Sequence, residues 1–323
     1  MKLSKLGERA IIKNLEKFLD GIGDDCAVMD FGNQKLVLAT DMLYKPTDIL
    51  NEMSWEQRGK LAVTVNFSDI AAMGAKPLAF LLSYGSPDIE YEDFLSLVKG
   101  AKKQCERFGA KFIGGDTNQT DELTLAGFAL GVTKRPILRS GAKPDDVVCV
   151  TGNVGTAALG VQILVKKSLK KIKLESGIKE ILRATLEPEP RMNEGLIIGK
   201  YANSMMDISD GLAVTLYGIA EKSKVGMKID SDKIPLSYHS KKISKELGLN
   251  LLDFALYGGG DYELVFTVPK NRFAELKRKV KITKIGEVVK GSGVFAGEIK
   301  IPNKGYEHFR QGNLSLLKID KVD

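Results

Sequence analysis

The residues with the clearest chemical potential in this chain are aspartates. One local design recurs: an apolar run ends in a carboxylate flanked by Gly, Ser or Thr. It occurs at Gly23-Asp24-Asp25, Thr40-Asp41, Gly115-Asp116-Thr117 and Asp207-Ile208-Ser209-Asp210, and Asp69 follows Ser68 inside a helical pattern. A single Asp of this kind is ordinarily an N-cap or turn residue. Several at the ends of core elements, if they converge, would repel one another strongly in a cleft, and cations relieve that repulsion. With no His or Cys close by in sequence, the expected ion is hard and oxygen-liganded, and Mg²⁺ fits. Clustered Mg²⁺ in turn suggests a polyphosphate substrate. Main-chain N–H groups for its phosphates are available in Gly-rich turns at Gly114-Gly115, at Gly152–Gly155 and at Gly258–Gly260.

Other chemistries find little material. There are two histidines, His239 and His308; a His-based metal site, a Ser-His-Asp triad or a Cys-His pair would have to use one of them, and since they read as a surface and a structural residue, imidazole chemistry is not expected. Cys26, Cys105 and Cys149 form neither a disulfide framework nor a Cys-x-x-Cys pair. No G-x-x-x-x-G-K-[ST] stretch and no strand–G-x-G-x-x-G–helix occur, which disfavours P-loop and Rossmann nucleotide binding. The single tryptophan, Trp55, opens a helical pattern and reads as packing.

Elements of two kinds must position the aspartates. The first 20 residues read as an amphipathic helix with no signal-peptide core. Cys26–Met29 and Lys35–Ala39 read as strands around a Phe31-Gly32-Asn33 turn, the second ending at Thr40-Asp41. Trp55 to Met73 and Tyr91 to Phe108 have helical spacing, Leu78–Ser83 and Leu123–Val132 read as strands, and Phe112-Ile113 leads into the Gly114-Gly115-Asp116-Thr117 turn. A polar stretch from Lys134 to Asp146 is the expected linker. The pattern then restarts with strand Val147–Val150, helix Thr156–Val165, helix Glu189–Tyr201, strand Ser204–Ile208, and a helix opened by Ser209-Asp210-Gly211; strand Leu264–Val268 comes later. Alternating strands and helices in both halves predict an α/β (α+β) protein of two domains, residues 1–140 and 141–323.

Composition agrees. The chain has 323 residues, 43% of them hydrophobic, with a mean hydropathy of −0.09, enough for real cores and without a run long enough to span a membrane. A cytoplasmic protein is expected. The net charge of +7 raises nucleic acid as a partner. The excess lies in the second half, in segments such as Lys166–Lys173 and Lys277–Lys284, which lack interleaved aromatics and read as solvated surface. The expectation is no nucleic acid and no membrane.

In their order along the chain these residues resemble the thiamine-monophosphate kinase family, in the superfamily of aminoimidazole ribonucleotide synthetase and selenophosphate synthetase. The matching blocks are Gly21-Ile22-Gly23-Asp24-Asp25-Cys26-Ala27, Thr40-Asp41-Met42-Leu43, and Asn66-Phe67-Ser68-Asp69-Ile70-Ala71-Ala72-Met73-Gly74-Ala75. They continue with Gly114-Gly115-Asp116-Thr117, Arg139-Ser140-Gly141-Ala142-Lys143-Pro144, Asp207-Ile208-Ser209-Asp210-Gly211-Leu212, Asp261-Tyr262-Glu263-Leu264 and Lys304-Gly305-Tyr306-Glu307-His308-Phe309. The resemblance implies phosphorylation of thiamine monophosphate by ATP with several Mg²⁺ ions, in a homodimer whose N-terminal domains pair into a β-barrel. It implies metal ligands at Asp25, Thr40, Asp41, Asp69, Asp116, Asp207 and Asp210, and ATP contacts at Gly115, Asp116, Arg139 and Ser209. Asp41, Asp207 and Arg139 would bear most directly on the reaction. Acceptor contacts fall at Asp48, Gly260 and Tyr306.

The sequence departs from the family pattern at three positions. Ala39 stands where a ligating Ser is frequent, Asp48 where the family has a substrate-binding His, and Gly260 where it has a substrate-contacting Glu. Asp48 is expected to meet the cationic thiazolium or the aminopyrimidine instead. Aminoimidazole ribonucleotide synthesis is the competing activity within the superfamily. A selenophosphate synthetase would carry a reactive Cys before the Asp pair, whereas Cys26 follows it.

Overall fold

The computed structural model describes residues 2–166 and 176–309. In chain order the elements begin α1 (Glu8–Leu15), β1 (Ala27–Phe31), β2 (Gln34–Tyr44), α2 (Lys45–Asp48), α3 (Trp55–Ala72), β3 (Lys76–Ser86), α4 (Tyr91–Arg107), β4 (Lys111–Gln119) and β5 (Thr124–Thr133). There follow β6 (Val147–Thr151), α5 (Thr156–Val165), α6 (Ser176–Leu186), α7 (Met192–Ile198), β7 (Ser204–Asp207), α8 (Leu212–Ser223) and β8 (Gly226–Ile229). The last are α9 (Tyr238–Glu246), α10 (Leu251–Tyr257), β9 (Leu264–Val268), α11 (Lys270–Lys277), β10 (Ile282–Val289), β11 (Gly293–Ala296) and β12 (Ile299–Lys300). They form two units. One consists of Asp25–Ile137 with Leu186–Lys200; the other takes the chain up to Asp24, Leu138–Thr185, and the chain from Tyr201 onward.

The first unit is a five-stranded sheet in the order β1-β2-β5-β3-β4. β3 and β4 are parallel and joined by α4, as a parallel pair requires a crossover; the other neighbours are antiparallel. α3 begins with a full capping box, Ser54 with Gln57, and is buried along most of its length. Its contact with α4 depends on two glycines. A Cβ on Gly59 would fall 1.9 Å from the Leu97 carbonyl oxygen, and one on Gly100 would fall 2.1 Å from that of Glu56. Phe67, Phe80, Ile70, Leu97 and Leu125 fill the core beneath the helices. The opposite face of the sheet exposes Met29, Met42 and Phe128.

The second unit is a mixed seven-stranded sheet, β12-β11-β8-β10-β6-β9-β7, in which only β11 and β8 are parallel. β6 and β9 are buried at every residue, the pattern of strands covered on both faces. On one side Val148, Val150 and Val265 pack with Leu212, Leu216 and Ile219 of α8. A further cluster joins Leu159 and Ile163 of α5 to Ile178 and Ile181 of α6 and Phe254 of α10. Both units are α/β assemblies, as the alternation of elements predicts. Among the described residues no helix is long and apolar enough to cross a membrane.

Four local expectations change. β2 does not stop at Thr40-Asp41 but pairs with β5 as far as Tyr44 opposite Thr124, so Asp41 sits mid-strand. Gly114-Gly115-Asp116-Thr117 is strand β4 rather than a turn, with a register shift against β3 between Phe80 and Leu82. The helix expected over Glu189–Tyr201 is shorter, because Pro188 and Pro190 hold the approach to α7 non-helical. α6 adds an element beyond those predicted from the sequence; its amphipathic pattern follows the basic run after Lys166, which lies outside the described residues.

Candidate active site

Within the first unit, Asp41 is held by its main chain. Its N–H donates to Asn66 Oδ1 (3.0 Å), and Asn66 Nδ2 donates to the Ala62 carbonyl (2.9 Å) one turn earlier in α3. Asn66 is completely buried, and Gly127 on β5 makes room for it: a Cβ there would lie 2.2 Å from Asn66 Nδ2. Asp69 lies three residues further along α3, on the same side of the helix as Asn66. A carboxylate oxygen of Asp69 and one of Asp25 come within 4.8 Å of each other. Two carboxylates so close repel unless a proton or a cation sits with them, and the donors are hard oxygens, so this pair fits Mg²⁺.

Thr40 and Asp41 do not share a face, because successive strand residues point to opposite sides. Thr40 is exposed and its hydroxyl donates to the Gly127 carbonyl (2.9 Å). Ala39 is buried on the helix-covered face. Asp116 is exposed on the edge strand β4 opposite Ser83. Gly115 is obligatory beside it, since a Cβ would lie 1.8 Å from the Leu82 carbonyl oxygen. Asp48 is engaged locally: its Oδ2 accepts from the Tyr44 N–H (2.9 Å) and the Thr47 hydroxyl (2.8 Å).

In the second unit Asp207 ends β7 and is 3% exposed. The Thr215 hydroxyl spans the turn after it, donating to the Asp207 and Gly211 carbonyls (3.2 and 3.0 Å). Ser209 and Asp210 occupy that turn, and Gly211 (φ +112°) leads into α8. The 258–263 segment runs alongside: Tyr262 N–H donates to the Ile208 carbonyl (3.0 Å), Gly260 N–H to that of Ser209 (2.8 Å), and Ile208 N–H to that of Glu263 (2.7 Å). Gly260 has φ +90°, a conformation the family's Glu would adopt only with strain.

At the end of the Gly152–Gly155 turn donors are taken within the protein, beginning with the Val154 N–H, which donates to the Pro235 carbonyl (3.0 Å). Gly155 and Ala157 N–H donate to the Asp261 carboxylate (2.6 and 3.1 Å). Burial pushes the Asp261 carboxyl up to about 7; these N–H groups and that of Thr156 pull the other way, while Glu263 adds to the rise. Gly152 makes room for Glu263, a buried side chain whose Oε2 accepts from the Thr151 hydroxyl (2.6 Å).

Arg139 is fixed through its main chain, its N–H donating to both oxygens of Asp24 (3.1 Å each) and its carbonyl accepting from the Ser223 hydroxyl (3.2 Å). Asp24 thus accepts from the Arg139 main chain, while an oxygen of its neighbour Asp25 lies near one of Asp69. Tyr306 N–H donates to the Asp210 carbonyl (3.0 Å), which places the expected acceptor contact beside the Ser209-Asp210 turn. Asn66, Asp24 and Asp261 are the positioning residues that sequence reasoning missed. Only Asn66 leaves a signal there, as the sole amide in an otherwise apolar helical stretch three residues before Asp69. Among the cysteines, burial pushes the Cys105 and Cys149 thiols up to about 12, so neither is a nucleophile at neutral pH.

This architecture is that of a known class. Residues 23–133 match the family described as AIR synthase related protein, N-terminal domain, and residues 143–297 match its C-terminal domain. The thiamine-monophosphate kinase of Pyrococcus horikoshii is 37% identical over 96% of this chain and 99% of its own, and that of Aquifex aeolicus is 35% identical over 96% and 100%. The solved structure of AaThiL complexed with AMPPCP and TMP superposes with a TM-score of 0.90 at 34% identity, covering 95% of this chain and 99% of that one. The hydrogenase maturation protein HypE of E. coli, with a TM-score of 0.63 and 20% identity over 80% of this chain and 81% of its own, shares the fold alone. The chain belongs to the thiamine-monophosphate kinase family.

Proposed function

We propose that this chain phosphorylates thiamine monophosphate with ATP, giving thiamine diphosphate and ADP. The observation that carries the reading is the near full-length likeness to AaThiL complexed with AMPPCP and TMP. An oxygen of the acceptor phosphate attacks the γ-phosphorus as the bond to the β,γ-bridging oxygen breaks. That nucleophile is already ionised, so no general base is required, and a chain with two histidines can serve. The obstacle is repulsion between two anions, met by positioning and electrostatics. Mg²⁺, when bound, supplies the neutralising charge.

Asp25, Thr40, Asp41, Asp69, Asp116, Asp207 and Asp210 are assigned as metal-holding residues. The Asp25–Asp69 approach supports the assignment of those two. Thr40 serves through its main-chain oxygen if it shares an ion with Asp41. Gly115, Asp116, Arg139 and Ser209 are assigned to ATP. Arg139 brings a rigid bidentate fork that Lys cannot match. Asp48, Gly260 and Tyr306 are assigned to the acceptor.

The protein acts as a cytoplasmic homodimer. Support for the pairing comes from the first unit's sheet, where Met29, Phe31 and Met42 are 56%, 65% and 62% exposed. An apolar face of this kind marks an interface, and a second copy would close the two sheets into a barrel. The test of function is a coupled ADP-release assay with thiamine monophosphate beside thiamine and unrelated phosphomonoesters. Turnover is expected with thiamine monophosphate, and equal release with all acceptors would overturn the reading.

A further inference from the structure

The stretch from Ile301 to Phe309 forms neither helix nor strand, yet it is fixed on two sides. On one side Tyr306 N–H donates to the Asp210 carbonyl (3.0 Å). Gly305 lies flat against the same atom, since a Cβ there would be 2.4 Å from it. On the other side stands α1. Arg9 N–H donates to Glu307 Oε1 (3.3 Å), Arg9 Nη2 to the Tyr306 carbonyl (3.4 Å), and Arg9 Nη1 to Asn303 Oδ1 (3.4 Å). His308 N–H donates to Glu8 Oε2 (3.2 Å). Glu307, 5% exposed, meets the first turn of α1, where free N–H groups and the helix dipole favour a carboxylate.

α1 itself has no buried residue. It adds little to the core, yet its first turn makes five polar contacts with one short segment, the fifth an ion pair from Arg9 Nε to Glu307 Oε2 (3.9 Å). That segment carries Tyr306, whose ring meets the His308 ring edge-on at 4.9 Å and whose hydroxyl lies 3.4 Å from His308 Nδ1.

We propose that α1 is a positioning element of the acceptor site, in which Glu8 and Arg9 hold the Tyr306–His308 segment so that the Tyr306 ring meets a heteroaromatic phosphomonoester in one orientation. The proposal rests on the reading of the chain as a thiamine-monophosphate kinase with Tyr306 on the acceptor. Glu8 and Arg9 touch no reacting atom; they act through Tyr306.

The test is steady-state kinetics on the full chain with both substrates varied. Each lost hydrogen bond is worth a fraction of a decade to a decade in affinity. Arg9→Ala and Glu8→Ala are each expected to raise KM for thiamine monophosphate about fivefold to tenfold, with KM for ATP within twofold and the Tm little changed. Glu8→Gln keeps an acceptor for the His308 N–H and should return KM close to the parent value. Tyr306→Leu combined with Arg9→Ala should be no worse than Tyr306→Leu alone. An unchanged KM in the folded single variants, an equal rise in both KM values, or additive effects in the double variant would overturn the proposal. A parent chain that turns over no thiamine monophosphate would instead defeat the functional reading beneath it.

Discussion

Asp41 takes its position from a neutral neighbour. The Asn66 amide is the bridge between α3 and the middle of β2. Asn66→Ala should remove the acceptor of the part-buried Asp41 N–H and lower stability by about 1–3 kcal/mol, measured by denaturant unfolding, with a loss of kcat in the same variant. Asp41→Ala and Asp207→Ala should each reduce kcat by about 10³-fold, the scale of removing a group that stabilises transition-state charge, while circular dichroism stays that of the parent. Turnover near the parent rate in either variant would remove that aspartate from the proposed metal-holding set. The aspartates themselves were legible in the sequence because each repeats one flanking pattern. Their division of labour was not. Asp24 and Asp25 are adjacent and identical in type, and only the fold sends one to the Arg139 N–H and the other toward Asp69.

At the scale of elements, the carboxylate of Asp261 caps the start of α5 and belongs to the segment that runs beside the Ser209-Asp210 turn. Its carboxyl is held up to about 7 against an ordinary 3.8. Between those values the folded chain keeps a proton that the unfolded chain has lost. The group's contribution to stability is therefore full below about pH 4 and falls as pH rises to 7. The Tm of Asp261→Asn, relative to the parent, should rise across that window and level off above it. A difference between the two Tm values that is the same at pH 4.5 and pH 7.5 would contradict this account. The Gly-rich turn and the helix after it are readable in the sequence, but not that a carboxylate 106 residues away takes the Gly155 N–H. Strand β2 shows the same limit. Its start was readable from alternation, whereas its end depends on β5, which supplies partners through Tyr44.

The whole molecule presents one consequence at the uncovered face of the first unit's sheet. Met42 and Phe128 are exposed there on adjacent strands. Met42→Glu should shift the chain from dimer to monomer in sedimentation velocity while leaving the far-ultraviolet spectrum unchanged. A parent that is already monomeric would refute the pairing. The division of the chain also matters at this scale. Leu186–Lys200 belongs to the unit built from Asp25–Ile137, and Gly195 of α7 approaches the Ala71 carbonyl so closely that a Cβ would lie 2.3 Å from it. A fragment of residues 1–140 lacks that helix, and its thermal unfolding should be less cooperative than that of the full chain.

Composition and local periodicity set the chemistry available and most of the elements. Hard oxygen ligands are plentiful, imidazole and reactive thiol are nearly absent, and the alternation of strand and helix follows from local periodicity, which is written in neighbouring residues. Tertiary structure alone decided which carboxylates bond to main-chain N–H groups and which come close to one another. Asp24, Asp48 and Asp261 spend their oxygens on main-chain N–H groups, whereas Asp25 and Asp69, 44 residues apart in sequence, come close to each other. A carboxylate's partners are set by what the chain packs beside it, and that packing is governed by burial and sheet pairing across separations that no local pattern encodes.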